Sequence, residues 1–285
     1  MPRTWLITGC SSGFGQEIAK AALAAGDIVV ATSREASRLG HLQQLGAIPV
    51  SLDVTGTDQH IEAVVAEAVK KAGTGTIDIL VNNAGYLLEG AVEEISSDEA
   101  KAQFDTNVFG VLAVTRAVLP YMRARRSGVI ANMGSIAGWD GGINYGLYSA
   151  AKFALVGASL ALREEVKSFG IQVTVIEPGY FRTNFLSTGG GHKVTARKVI
   201  DELRPIIDPV KEALAKCHHQ QPGDPAKGAQ LIVEALTGTG RCPGRRLPRR
   251  LALGSDAVAF IEGVLQREKD ELEEWKELSI TTDFV

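Results

Sequence analysis

An apolar run, Thr4-Trp-Leu-Ile-Thr8, opens the chain and passes directly into Gly9-Cys-Ser-Ser-Gly13-Phe-Gly15, after which a helical apolar rhythm begins near residue 14. Few architectures accept a strand, a tight glycine-rich turn and a helix in that order. In those that do, the turn brings backbone amides up to a pyrophosphate, and the helix N-terminus adds a favourable field for negative charge. Gly9, Gly13 and Gly15 stand where a side chain would obstruct the approach. The loop, with Ser11, Ser12 and Phe14 between its glycines, is therefore read as a dinucleotide cradle.

The remainder of the chain repeats the same alternation. Short β-branched runs occur at 28–31, 48–52, 77–81, 128–133 and 173–176, separated by helical patterns near 14–25, 57–72, 99–125 and 147–168. This order implies an α/β fold, a Rossmann-type doubly wound parallel sheet covered on both faces. Residues 1–285 are read as one domain. In such a sheet ligands lie beyond the carboxyl ends of the strands. Thr8, Asn82, Ser135 and Pro178 each follow a strand, so four separate segments should converge on one crevice. After Pro178-Gly179 the pattern loosens through Ser187-Thr-Gly-Gly-Gly191 to about residue 221, which is expected to be a mobile cover over the substrate, with His192 on its surface. Gly223-Asp-Pro-Ala opens a further helix, 251–253 is a last strand, and 256–278 reads as a charged terminal helix.

Charge and cysteine usage exclude other classes. A formal net charge of −3 gives no global attraction to nucleic acid. The first strand begins too close to the initiator Met for a signal peptide, and no apolar run approaches the roughly 18 residues needed to span a bilayer. Three cysteines in no metal-ligand spacing suit free thiols in the cytoplasm and no metal site. Cys10 has no paired base and is not read as a nucleophile. The basic stretches at Arg123 to Arg126 and Arg241 to Arg250, and the acid run 271–277, are read as solvated surface.

Tyr148 and Lys152 are four residues apart, so a helix presents both on one face, and Ser135 follows the preceding strand. Such a set can exchange a proton with a carbonyl or alcohol oxygen. An adjacent ammonium is expected to lower the phenol from its ordinary pKa near 10, which makes Tyr148 the candidate acid/base. With the glycine loop this points to a nicotinamide-dependent oxidoreductase.

The TGxxxGxG and YxxxK patterns resemble those of the short-chain dehydrogenase/reductase family, in its single-domain branch, over roughly residues 4–185. Further segments match in order: Asn82-Asn83-Ala84-Gly85, Asp53-Val54, Asn107, and Pro178-Gly179 with Phe181 and Thr183. The resemblance implies that Asp53 and Val54 flank adenine, that the Asn82 to Gly85 element supports the sheet beside the adenosine, and that 178–183 lies by the nicotinamide. It further implies that Ser135 polarises the substrate oxygen, that Lys152 also binds the nicotinamide ribose, and that Asn107 positions a water linking Lys152 to solvent. The catalytic set is thus Asn107, Ser135, Tyr148 and Lys152. In the loop after the second strand Ser33 occupies the place where an acid binds the ribose 2′-hydroxyl, and Arg34 follows. A guanidinium suits a 2′-phosphate, so NADP(H) is expected over NAD(H), although Glu35 would restore an acid if the register shifted.

The surrounding residues are similar to those of hydroxysteroid- and retinol-type members and microbial ketone reductases. The expected substrate is accordingly a bulky, lipophilic ketone, aldehyde or secondary alcohol, turned over by a homodimer or homotetramer with contacts through 99–125 and 147–168. Alternatives are a non-catalytic NADP(H) sensor, an NAD-dependent alcohol dehydrogenase, a nucleotide-sugar epimerase or dehydratase, and an enoyl reductase. The first is opposed by the retention of both Tyr148 and Lys152, and the last two by the glycine and Tyr-Lys spacings.

Overall fold

A computed structural model describes residues 2–187 and 192–284. Its strands are β1 (Thr4–Ile7), β2 (Ile28–Ser33), β3 (Ile48–Ser51), β4 (Ile79–Asn82), β5 (Leu87–Glu89), β6 (Gly128–Met133), β7 (Ile171–Pro178), β8 (Lys193–Thr195) and β9 (Arg250–Leu253). The helices are α1 (Gly13–Ala24), α2 (Gly40–Gln43), α3 (Asp58–Ala72), α4 (Ser97–Phe104), α5 (Gly110–Arg125), α6 (Gly146–Val166), α7 (Arg204–Cys217), α8 (Pro225–Thr237) and α9 (Ser255–Ser279).

Seven strands form one parallel sheet in the order β3-β2-β1-β4-β6-β7-β9. Side-chain alternation explains why both faces are covered. Leu6 stands opposite Val30 and Leu80, and all three face a core closed by α3 and α5 through Ile61, Val65, Val114 and Val118. Ile7 stands opposite Ala31 and Val81 and faces the other core, closed by α1 and α8 through Ile18, Ile232 and Val233. Trp5 is fully buried in that second core, and its indole N–H donates to Asp27 at 2.8 Å, so its burial leaves no unpaired donor. Strand order reverses between β1 and β4, and the strand ends there open onto the crevice.

The helices carry local stop and start signals. Thr57 accepts from the His60 amide at the start of α3, and Gly73 ends it at φ +72°. Ser96 and Glu99 form a reciprocal capping box at α4. The helix expected over 99–125 runs without a gap from 97 to 125, but not as one regular α-helix. Between α4 and α5 the ladder widens into a π-type turn at Asp105–Phe109, where both ends of the Asn107 amide are bound to the Tyr86 main chain.

The expected cover is also more regular than its glycines suggest. Residues 188–191 lie outside the described residues, but Lys193–Thr195 pairs in parallel with β5 as a two-stranded sheet. Arg204–Cys217 is helical despite two prolines. Pro205 lies in the first turn, where its missing N–H is harmless, and Ile207 is the buried anchor.

Candidate active site

The site is built where the β1, β2, β4, β6 and β7 ends meet. Thr8 Oγ1 accepts from the Asn83 and Ala84 amides at 2.9 and 3.0 Å, and Asn83 Nδ2 donates to the Thr8 and Gly9 carbonyls at 2.9 and 3.0 Å. This cross-tie draws the glycine loop against the β4 end. Gly9 has φ +71°, and a Cβ there would stand 2.9 Å from Ala84 Cα. A Cβ on Gly15 would collide with the Gly9 carbonyl and Asn83 Nδ2. Gly15 therefore closes the loop onto α1 and does not line the cavity. Asn82 continues the tie inward, donating to Thr115 Oγ1 and Asn132 Oδ1 at 3.0 and 2.9 Å.

These loops enclose a cavity of about 770 Å³. Gly9, Ser11, Ser12, Gly13 and Phe14 line the cavity, as do Ser33 and Arg34, Asp53 and Val54, and Asn83, Ala84 and Gly85. Arg34 is exposed and makes no ion pair among the described residues, while Glu35 does not line the cavity. The buried Ser33 hydroxyl donates to the Glu35 carbonyl, so the turn holds the Glu35 main chain inward. The cradle fits a dinucleotide: two glycines leave no room for a β-carbon, and Ser12 at the head of α1 does not cap the helix amides with its side chain. Cys10 is buried beneath, its thiol pushed up to about 12 by burial and directed at the Ile7 carbonyl, so it is not a nucleophile.

Ser135, Tyr148 and Lys152 line the same cavity with Pro178, Gly179, Phe181 and Thr183. Phe181 stacks edge-on against Phe14 with centroids 4.9 Å apart, which joins the 178–183 loop to the glycine loop. Tyr148 and Lys152 lie one turn apart on α6, both buried. Lys152 Nζ donates to the Met133 carbonyl at 2.6 Å and lies 5.5 Å from the Tyr148 ring centroid. Ser135 Oγ accepts from the Ala137 amide at 3.1 Å, and its hydroxyl faces the Tyr148 phenol.

Burial pushes the Tyr148 phenol up to about 12; the Ser135 hydroxyl opposes this and Tyr180 adds to it. This reverses the lowering expected from Lys152, because the site that holds the ammonium also strips water from the phenolate. Burial likewise brings Lys152 down to about 8. Asn107 is buried behind Gly85 and, like Gly15, does not line the cavity; its side chain is bound to Tyr86.

The expected solvated loop Arg241 to Arg250 needs correction at its end. Glu177, 0% exposed at the end of β7, accepts from Arg250 Nε and Trp139 Nε1, each at 2.8 Å. The Arg250 guanidinium stacks 3.5 Å from the Trp139 ring centroid and donates to the Gly138 carbonyl. Burial raises the Glu177 carboxyl, and Arg250 and Trp139 pull it back. The cluster fastens the loop after Ser135 to the strand that delivers Pro178.

His192 is not a surface residue of the cover. It is half-buried, its carbonyl accepts from the Leu87 amide at 2.9 Å, and its Nε2 lies 2.8 Å from Ser12 Oγ. Tyr180 and Gln221, from the segment expected to line the substrate site, line the cavity, and Tyr86, Tyr145 and Phe260 do so without having been singled out. Tyr86 directly follows a recognised motif and was within reach of sequence reasoning. Phe260 comes from α9 and carries no local signal.

Among the described residues no His, Cys, Asp or Glu cluster could hold a metal, and no helix is long and apolar enough to cross a membrane. Residues 3–190 match the profile of the short chain dehydrogenase family. An oxidoreductase, BOA17, of Botryotinia fuckeliana is 36% identical over 99% of this chain and 100% of its own length. The 3-ketodihydrosphingosine reductase of Bacteroides thetaiotaomicron is 38% identical over 78% of this chain and 81% of its own. A solved short-chain dehydrogenase from Streptomyces avermitilis is 41% identical, covers 100% of both chains and superposes with a TM-score of 0.89. Sheet order, glycine cradle and these likenesses agree: the chain belongs to the short-chain dehydrogenase family of oxidoreductases, which act on CH–OH and C=O groups.

Proposed function

We propose that the chain is an NADP(H)-dependent carbonyl reductase or alcohol dehydrogenase acting on a bulky, lipophilic ketone, aldehyde or secondary alcohol, with Tyr148 as its acid/base. The observation that carries this reading is the cavity itself, in which Ser135, Tyr148 and Lys152 stand at one end and the glycine loop and Arg34 at the other. NADP(H), when bound, supplies or accepts the hydride. A phenol raised to about 12 is protonated at neutral pH and acts as donor to a carbonyl oxygen. Ser135, whose hydroxyl faces the phenol, donates to the same oxygen once substrate is bound. Lys152 is largely charged at neutral pH and sits under the phenol, where it stabilises the phenolate left by proton transfer. Asn107 carries the water-positioning role that the family resemblance implies, from a π-type turn where its side chain holds the Tyr86 main chain.

Arg34 at the cavity wall, with Glu35 turned away from it, supports NADP(H) over NAD(H). The apolar wall formed by Leu87, Ile136, Phe185, Leu186, Val194 and Phe260 supports a lipophilic substrate, in keeping with the 3-ketodihydrosphingosine named for the Bacteroides relative. Free cysteines suit the cytoplasm, and a homodimer or homotetramer through α5 and α6 is part of the same reading.

Tyr148→Phe is expected to lower kcat at least about a hundredfold while leaving NADPH affinity within about twofold. Retained turnover would remove the assignment. Arg34→Ala is expected to weaken NADPH binding roughly tenfold or more and NADH binding little, measured by fluorescence titration. Equal losses would return the cofactor choice to NAD(H).

A further inference from the structure

His192 stands at the head of α1, where no motif of the sequence gives it a role. Three observations define its setting. Its Nε2 is 2.8 Å from the hydroxyl of Ser12, the residue at the head of α1, whose helix amides receive no side-chain cap. Its backbone is fixed by the bond from the Leu87 amide and by the adjoining β5–β8 ladder, in which Lys193 meets Glu89 at 3.3 Å and Ala196 N donates to the Glu89 carbonyl at 2.7 Å. Its ring lines the same cavity as Ser11, Ser12 and Arg34. The imidazole is thus held by a strand from the opposite side of the cleft, facing the amides that receive phosphate.

We propose that His192 is a phosphate ligand of the bound dinucleotide, binding in its protonated form and so coupling cofactor affinity to pH. The proposal rests on the dinucleotide reading of the site. In the free protein the ring is neutral near pH 7 and shares a hydrogen bond with Ser12. A phosphate oxygen at the head of α1 favours the imidazolium, whose Nε2–H then donates to that oxygen. The charged groups acting on the ring are Arg38 and Arg34 beyond β2, and the adjacent Lys193 is paired with Glu89. Burial, then Arg38 and Arg34, hold the free imidazole below its ordinary pKa of 6.5. A bound phosphate opposes all three. The histidine therefore takes up a proton on binding between its free and bound pKa values, and its contribution to affinity is full below the free value and gone above the bound one.

The test measures Kd for NADPH and NADH from pH 5.5 to 8.5 by fluorescence titration, with proton uptake from calorimetry in buffers of different ionisation heat. Wild type is compared with His192→Ala and with His192→Gln, which keeps a hydrogen-bonding group but cannot protonate. Thermal unfolding checks that each variant is folded. The 2′-phosphate itself titrates near pH 6 in every protein, so the difference between proteins is read. Both variants should bind about tenfold more weakly at pH 5.5, match wild type at pH 8.5 and lose the extra proton uptake. A loss with both nucleotides assigns the contact to the pyrophosphate, and a loss with NADPH alone assigns it to the 2′-phosphate. Variant curves that coincide with wild type at every pH would overturn the proposal while leaving the dinucleotide reading in place. Wild-type protein that binds neither nucleotide would overturn both.

Discussion

Lys152 sets chemistry against stability within one side chain. Its ammonium is buried, with one protein acceptor at Met133, and burial brings it from 10.5 down to about 8. A base with a depressed folded-state pKa penalises folding most where it is charged in both states, below pH 8, and the penalty fades as pH rises toward 10.5. Lys152→Met is therefore expected to abolish turnover yet raise stability by up to a few kcal/mol at pH 7, with the gain shrinking between pH 8 and 10.5. Urea unfolding at several pH values checks this; a variant less stable than wild type at pH 7 would show that the Met133 hydrogen bond outweighs the desolvation. The YxxxK spacing placed these two side chains on one helix face, but the direction of the Tyr148 shift was not legible. Neighbouring charge can be read from spacing, whereas loss of water depends on everything that packs above the ring.

Between elements, the Glu177–Arg250–Trp139 cluster shows the same limit. Arg250 lies in a Pro- and Arg-rich stretch that reads as solvated, and only the pairing of β9 with β7 carries it to a carboxylate with no solvent exposure. Removing one partner of a buried pair leaves the other charge uncompensated. Arg250→Ala is expected to cost about 3 kcal/mol at pH 7.5, and less as the pH falls and the orphaned, already raised Glu177 carboxyl takes up a proton. A cost independent of pH would assign the loss to the stacking on Trp139 instead. The long strands and amphipathic helices were legible because each repeats its apolar period over several residues. β5 and β8 were not: three residues each give no period, and their ladder exists only because the chain returns from β7 past the end of β4.

At the scale of the molecule, α9 continues well past its buried anchors Ala257, Ile261 and Val264, and the remainder of its length faces solvent. The helices expected to join copies expose Phe109 at 55% and Phe153 at 46%. Replacing both with Glu should shift sedimentation toward monomer without lowering NADPH affinity; unchanged sedimentation would place the contact elsewhere. The sequence alone determined the alternating architecture, the glycine cradle and the identity of the Ser, Tyr and Lys groups, because these depend on local periodicity and on residues whose chemistry has few substitutes. Tertiary structure alone decided that Gly15 serves packing, that Asn107 is engaged by Tyr86, that Arg250 is buried and that His192 faces Ser12. Each of these follows from contacts between segments distant in sequence, formed when the sheet closes, and water is lost from those side chains at that point.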